Sequence, residues 1–438
     1  MPSDTVVYYD SNDLICASFE CFNLTIILFM KRLISALIVI GLLTVTFQSA
    51  EAKVKVKESR TNYAAEALAP MVESGQLPGA ISILYKDGVQ ETCCIGYADV
   101  ESKRPITLNS AFMQCSQTKG FCGVTIAKLV EEGKLSIDDP VSKYLPEFEN
   151  LWVRVEKTDS TMVLRKAKNV LTVRMVMNHT GGFPFEASVK RRDVRGGGWS
   201  GGARVRQVAA VAAESPLRFE PGTAVRYSNT GIDIGAAIVE VITGMRWEDY
   251  LKQEVLDPLG MKSTWFWPTD KQLKSKIELY EIKENGPAVW TEEMAWEQRP
   301  YNDDHVFASA GAGLWTTAED QLKFYKMLMN LGVGENGVRI LKEETVKSLL
   351  AVSTRPKELD GYSLGLHSPV EDTEDGWFGH GGAWGTSCYV NYHKKQLRLW
   401  VIQHAGGPKI WVPIMKEVEE KFFSEEVENS GDYTGRTE

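Results

Sequence analysis

Ser116-Gln-Thr-Lys119 is the only Ser-x-x-Lys in the 438-residue chain. A helical pattern follows it, with Val124, Ile126, Ala127, Leu129 and Val130 apolar and Glu131, Glu132 and Lys134 polar. On a helix, positions three apart share a face, so the Lys119 amine sits one turn from the Ser116 hydroxyl. Backbone N–H groups at a helix start lack intrahelical partners, and the dipole there favours developing negative charge. A serine oxygen at that place, with an amine able to take its proton, has the makings of a nucleophile and base. An N-capping serine beside a solvated lysine has the same spacing, so the rest of the chain must decide between the two.

The elements needed to position these residues can be read around them. A helix is expected over 60–74, ended by Gly75 and Pro78-Gly79. Strands over 80–85 and 90–97 are joined by Lys86-Asp87-Gly88, a hairpin signal. Ser136 to Pro140 reads as an Asp-rich turn and 151–171 as a small hairpin. Helices follow over 173–178, 203–214, 227–243, 247–256, 318–331 and 343–350. The Gly-rich stretch 190–202 reads as a loop at a cleft rim, and 277–306 as a lid or a packed loop. Strands return at 362–367, 377–378, 387–392 and 397–403, a helix at 411–423, and 424 onward reads as a polar tail. Strands at both ends with helices between them predict an α+β fold: a mainly antiparallel sheet built from both termini (about 60–110 and 360–424), flanked by helices, with a helical insertion over about 116–350.

Composition is globular, 43% hydrophobic and 24% charged, and the net charge of −9 argues against a nucleic-acid binder. Lys31-Arg32, the apolar run Leu33–Phe47 and Ala50-Glu51-Ala52 read as an export signal over 30–52, too short for a span of about 20 residues. Residues 1–29 then read as an upstream extension, 53–424 as the folded domain and 425–438 as its tail, and the protein is expected in the periplasm or outside the cell. A single uncleaved anchor is the alternative, and would be its only membrane contact. Cys93, Cys94, Cys115, Cys122 and Cys388 follow the signal, an odd and irregular set that does not resemble a disulfide framework. The six histidines are dispersed, without His-Glu-x-x-His, so neither a metal nor another cofactor is expected.

Three motifs follow in chain order: Ser116-Gln-Thr-Lys119, then Tyr227-Ser-Asn229 after Phe219-Glu-Pro-Gly222, then His380-Gly-Gly382. With Leu129–Val141, Asn178-His-Thr-Gly-Gly182, Leu256-Asp-Pro-Leu-Gly-Met261 and Gly313–Asp320, this order resembles the serine β-lactamase and penicillin-binding-protein-like superfamily over about residues 60–424. The likeness is to the branch holding class C β-lactamases, DD-peptidases and family VIII carboxylesterases. The resemblance implies Ser116 as nucleophile and Lys119 as its base or proton relay. Tyr227 would face Ser116 and exchange a proton with the leaving group, its pKa falling toward that of Lys119. Asn229 would orient substrate or Lys119, and His380, Gly381 and Gly382 would line the substrate edge. The oxyanion hole would be the backbone N–H groups of Ser116 and Ala383, the latter on the strand after His380-Gly-Gly382.

Other motif matches lack this order. Tyr389-Val-Asn391 lies in an expected strand after the His-Gly-Gly, and His179-Thr-Gly181 precedes the Tyr. Gly198-Trp-Ser200-Gly-Gly202 and Gly361-Tyr-Ser363-Leu-Gly365 match a nucleophile elbow without its strand and helix, so Ser200 and Ser363 read as chance matches. His380 departs from the lysine of many β-lactamases and carries no permanent charge at neutral pH. That leans toward an exported serine hydrolase, a carboxylesterase acting through an acyl-enzyme on a small ester or amide. A β-lactamase or DD-peptidase acting on a β-lactam or peptide, or a non-catalytic ligand-binding protein on the same scaffold, remain open at this point.

Overall fold

A computed structural model describes residues 56–59, 61–186, 204–291, 307–402, 404–405 and 408–424. The export signal and upstream extension, the Gly-rich stretch with Ser200, residues 292–306 of the expected lid, and the tail lie outside the described residues.

The sheet is built as expected from both ends of the domain. Its strands are β1 (Lys57–Glu58), β2 (Gly79–Lys86), β3 (Val89–Asp99), β4 (Phe378–Gly382), β5 (Thr386–Asn391) and β6 (Gln396–Val401). The order is β1-β3-β2-β6-β5-β4, with Arg104–Pro105 also pairing β3. Every neighbour is antiparallel except β1 on β3. The β2–β3 link is a two-residue turn, Asp87 and Gly88, both with positive φ (49° and 84°). That is the type I′ pattern, whose twist matches the flanking strands.

The alternation of side chains along each strand divides the interior into two layers. On β2, Ile81 and Ile83 join the main core; Ala80 and Leu84 face the opposite way. On β6, Leu397, Leu399 and Val401 take the first side and Trp400 the second. The second face is covered by α1 (Tyr63–Glu73) and the C-terminal helix Pro408–Ser424, which contribute Leu68, Met71, Met415, Val418 and Phe422. Asn62 caps α1, its side-chain oxygen accepting the Ala65 N–H at 2.9 Å. Glu419 of the C-terminal helix accepts from Trp400 Nε1 at 2.9 Å and from Arg398.

The first face packs on the helical part, whose central members are α2 (Thr118–Glu131), α3 (Asn229–Thr243) and α4 (Ala318–Met329). α2 is buried almost all round, which places Ser116 and Lys119 between sheet and helices. The Asp turn forms as expected, Ser136 N–H donating to Asp139 Oδ2 at 2.9 Å. The small hairpin is Trp152–Lys157 with Met162–Lys166.

Three expectations need correction. Tyr362–His367 is not a strand but a tight turn, closed by single bridges Tyr362 to His367 and His367 to Gly379 and reversing at Gly365. His380-Gly-Gly382 is itself the end of β4, and Ala383 lies not on a strand but in the short turn between β4 and β5. The helix expected from Tyr227 starts two residues later, because Ser228 caps it by accepting the Gly231 N–H at 3.1 Å. Of the two readings for 277–306, the described part fits the packed loop: Tyr280–Glu281 and Val289–Trp290 pair with each other, and Leu279 and Ile282 are buried.

Candidate active site

The nucleophile candidate is placed by an abrupt strand-to-helix transition. The strand Ala111–Met113 runs into a single 3-10 turn, Cys115–Gln117, and then α2. Cys115 carries the reversal with φ 50°, a left-handed backbone that costs a β-carbon-bearing residue about 1 kcal/mol. The turn is held by buried bonds. Thr118 Oγ1 donates to Cys115 O at 2.7 Å and accepts the Leu314 N–H at 3.2 Å, and Gln117 Nε2 donates to His380 O at 3.1 Å.

Lys119 is fully buried and has no carboxylate in direct contact among its hydrogen-bond partners. Its Nζ lies 2.6 Å from Asn229 Oδ1, 2.6 Å from Gly311 O and 3.1 Å from Ser116 Oγ. Burial draws its pKa down to about 7, against the opposing pull of Asp233, Cys115 and Glu186. Desolvation alone lowers it; the charges named beside it all act in the opposite direction. The two shortest contacts are to carbonyl oxygens, which only accept. A neutral amine can give both of its N–H bonds to them and turn its lone pair to the one ligand able to donate, the Ser116 hydroxyl. That arrangement can remove the serine proton.

Gly311 is indispensable to it. A β-carbon there would lie 2.6 Å from Asn229 Cβ and 2.9 Å from Asn229 Oδ1, inside any tolerated contact. The Gly311 carbonyl reaches Lys119 only because no side chain separates its loop from α3.

Tyr227 enters from the extended segment before α3, with its ring 4.6 Å from Lys119 Nζ and its hydroxyl beside Ser116, close enough to influence its titration. Its titration departs from expectation. Burial pushes the phenol well above its ordinary value, and the Ser116 contact only partly offsets that. Tyr227 therefore stays a neutral hydroxyl, able to donate or pass on a proton, while Lys119 is the group poised near neutrality.

His380 is also buried, and burial holds its pKa well below the ordinary range. Its Nδ1 bonds the Gly381 carbonyl, which can only accept, so the proton is assigned to Nδ1. Nε2 is then an acceptor, 2.9 Å from the Tyr362 hydroxyl and 3.5 Å from that of Tyr227. The ring turns inward to these tyrosines and brings no positive charge to the cleft. Gly381, Gly382 and the exposed Ala383 form the rim beyond it. Gly382 must be glycine, since a β-carbon would meet Thr386 Oγ1 at 2.3 Å and Gln114 O at 2.4 Å. This close approach brings the Ala383–Gly385 turn against the Cys115–Gln117 turn, so the two backbone segments proposed for an oxyanion hole are neighbours.

The structure thus brings together Ser116, Lys119, Tyr227, Asn229, His380, Gly381, Gly382 and Ala383. It also adds residues that sequence reasoning missed. Tyr362 was hidden in a supposed strand, yet it is fully buried on His380. His179 (φ 68°) wedges between Tyr227 and Tyr362, ring centroids 4.5 and 4.6 Å away, and its Nδ1 accepts the Ser228 N–H at 3.3 Å. Gly311 and Asp233 support Lys119. The signals available were the Asn178-His-Thr-Gly-Gly and Ser309-Ala-Gly-Ala-Gly stretches, neither of which indicates a partner by itself. Ser363 is wholly buried and directed to Leu366 O, which removes it as a nucleophile. Tyr389 lies on β5, away from the order the motifs require.

Known proteins resemble the chain in sequence and in fold. Residues 64–404 match the family model described as Beta-lactamase. Protein Rv1367c of Mycobacterium tuberculosis (strain ATCC 25618 / H37Rv) is 25% identical over 365 residues, covering 76% of this chain and 87% of that protein. An Escherichia coli (strain K12) protein provisionally named a D-alanyl-D-alanine carboxypeptidase is 29% identical over 273 residues, 59% of each chain. Among solved structures, unliganded selenomethionyl simvastatin synthase (LovD) from Aspergillus terreus superposes with a TM-score of 0.68 at 18% identity, covering 83% of this chain and 98% of that one. EstCE1, described as a hydrolase with promiscuous acyltransferase activity, gives 0.64 at 19% identity over 82% and 97%. At these identities the two structures speak for the fold alone.

Gly311→Ala is expected to displace the loop from Asn229 and with it the carbonyl that holds Lys119. Modification of Ser116 by a fluorophosphonate should slow at least about tenfold, the scale of losing one well-placed polar contact. An unchanged labelling rate would show that this carbonyl does not position the amine.

Proposed function

The chain belongs to the β-lactamase family, and from that premise we propose that it is a serine hydrolase working through an acyl-enzyme at Ser116, with carboxylic esters as its substrate class. What carries the proposal is the Lys119 amine, buried, drawn to a pKa of about 7 and 3.1 Å from Ser116 Oγ. Lys119 takes the serine proton as Oγ attacks the acyl carbon. The backbone N–H groups of Ser116 and Ala383 receive the developing oxyanion. Tyr227, neutral and beside Ser116, delivers a proton to the leaving alkoxide, and water then attacks the ester in the reverse sense. Asn229 holds Lys119, while His380 and Tyr362 hold the far side of Tyr227.

The ester preference rests on His380. A neutral ring turned inward supplies no fixed cation for a substrate carboxylate, which β-lactams and D-alanyl peptides carry. A DD-peptidase reading is kept as second, because the Escherichia coli relative carries that name. A non-catalytic reading is disfavoured, since a binding site gains nothing from a buried amine poised to lose its proton. Export to the periplasm or beyond is part of the proposal and rests on Lys31-Arg32, the apolar run to Phe47 and Ala50-Glu51-Ala52. Protein recovered outside the cytoplasm should begin near Lys53 by N-terminal sequencing; a start well upstream would contradict it.

Short acyl p-nitrophenyl esters, nitrocefin and a D-Ala-D-Ala peptide, assayed in parallel with wild type and Ser116→Ala, test the assignment. Ester hydrolysis should exceed the other two and fall by at least about 10³-fold in the variant. Equal rates in the two proteins would remove Ser116 as nucleophile, and peptide turnover above ester turnover would favour the second reading. The pH dependence follows from Lys119. Its folded pKa is depressed, so the amine is charged and inactive below about 7 and neutral above it. The kcat/KM for an ester should therefore rise with pH and reach half its plateau near 7. A limb near pH 4 would point to a carboxylate base instead.

A further inference from the structure

Building on that reading of Ser116 and Lys119, we infer that Asp233 is a positioning residue that sets the charge state of Lys119. It anchors the loop whose carbonyl holds the amine, and its own charge decides how firmly the amine keeps its proton.

Asp233 follows Asn229 by one turn of α3, so the two side chains leave the helix on the same face. Asn229 meets Lys119 directly. Asp233, also buried, meets it through one residue: Asp233 Oδ1 accepts the Gly311 N–H at 3.1 Å and the Ser309 hydroxyl at 3.2 Å, and the Gly311 carbonyl accepts from Lys119 at 2.6 Å. The Ser309 hydroxyl is also 3.2 Å from the Gly311 N–H. Gly311 is therefore gripped at its N–H by the carboxylate and at its C=O by the amine. Lys119 and Asp233 sit on opposite sides of one glycine, without direct contact, in a region closed to water.

The charged and titratable neighbours leave Asp233 as the dominant influence. Lys119 is faced by Asp233, Cys115, Glu186, Tyr227 and the neutral rings of His179, His367 and His380. Asp233 is faced by Lys119 and by Cys122. Burial raises the Asp233 carboxyl and lowers the Lys119 amine, so each works against its own charged form while favouring the charge of the other. Among the described residues Glu186 is the other carboxylate within reach, but it is half-buried and engaged by Asn229, so solvent screens it more. An ionised Asp233 favours the ammonium; a neutral one releases the proton and leaves Lys119 free to act as base. The carboxylate touches no reacting atom and acts only through Gly311 and through its field.

The test is the pH profile of second-order inactivation by a fluorophosphonate, with the modified residue mapped by mass spectrometry. In this reaction Ser116 Oγ forms a bond to phosphorus, fluoride leaves, and the serine proton passes to Lys119, so the acid limb reports the amine. Asp233→Asn keeps an oxygen acceptor for the Gly311 N–H and removes the charge. Its acid limb should move to lower pH, raising the rate at pH 6, as a fraction of its plateau, at least about threefold over wild type. Ser309→Ala keeps the carboxylate but removes a donor to it, which makes it harder to ionise, and should move the limb the same way by less. This second variant decides the matter if Asp233→Asn does not fold. Labelling at Ser116 with acid limbs that superimpose on wild type, even with a lower plateau, would reduce Asp233 to a structural anchor and overturn the inference. Absence of wild-type labelling at Ser116 would instead defeat the nucleophile assignment itself, and this inference with it.

Discussion

Burying one lysine amine among acceptors, with no carboxylate touching it, is the constraint on which the rest of the site depends. An ammonium ion removed from water is costly, and a direct ion pair would restore its charge and fix its proton. Lys119 has instead two carbonyl oxygens and a hydroxyl. Carbonyls satisfy the N–H bonds of a neutral amine as well as those of an ammonium, so the site tolerates both forms. The nearest buried carboxylate stands one glycine away. This separation keeps the amine from being either permanently charged or permanently neutral.

Much of the surrounding architecture follows from meeting that constraint. Asn229 must project from the first turn of α3, so the helix starts there and Ser228 caps it. Gly311 must lie against Asn229, so no β-carbon is tolerated. α2 must be buried on nearly every side to exclude water from Lys119, and the stack of Phe121 on Phe324 of α4, ring centroids 3.7 Å apart, closes one of them. β4 must approach the Ser116 turn closely, which Gly382 permits and the Thr386 bond to Gln114 O, at 3.3 Å, maintains. The strained Cys115 backbone is the local cost of turning the chain so sharply before a helix.

The parts of the fold legible in the sequence were those specified locally. Asp87-Gly88 defines its turn, and the period-two patterns of β2 and β6 define two faces. Gly75, with φ 73°, stops α1 where the pattern ends it, whereas the caps Asn62 and Ser228 start their helices two or three residues later than the apolar pattern suggests. The three motifs were legible because their order is carried by the chain. What was not legible was specified by distant contact. The 362–367 stretch has an apolar-polar alternation that suits a strand, yet Gly365 presses on the Lys119 carbonyl and forces a turn. The inward turn of His380 depends on Tyr362, eighteen residues away and reached only through that turn. The depressed Lys119 pKa was not legible either, because its cause is burial by elements far apart in the chain, which outweighs the neighbouring charges that oppose the shift.

The opposite behaviour of Tyr227 bears on how labour is divided at the site. Both groups lose water, but burial disfavours the charged form in each case, which lowers an amine and raises a phenol. The same dry environment therefore frees the Lys119 amine of its proton near neutral pH and keeps the Tyr227 phenol protonated. A site with two hydroxyls and one amine in contact has a single direction for proton flow at neutral pH: from Ser116 to Lys119, with Tyr227 available as a donor. His380 reinforces this, because its assigned Nδ1 proton leaves Nε2 as an acceptor among the tyrosine hydroxyls, 2.9 Å from that of Tyr362. A lysine in its place would add a positive charge next to Tyr227 and favour the phenolate. The histidine thus has a consequence beyond substrate charge: it keeps Tyr227 protonated and leaves the role of base to Lys119.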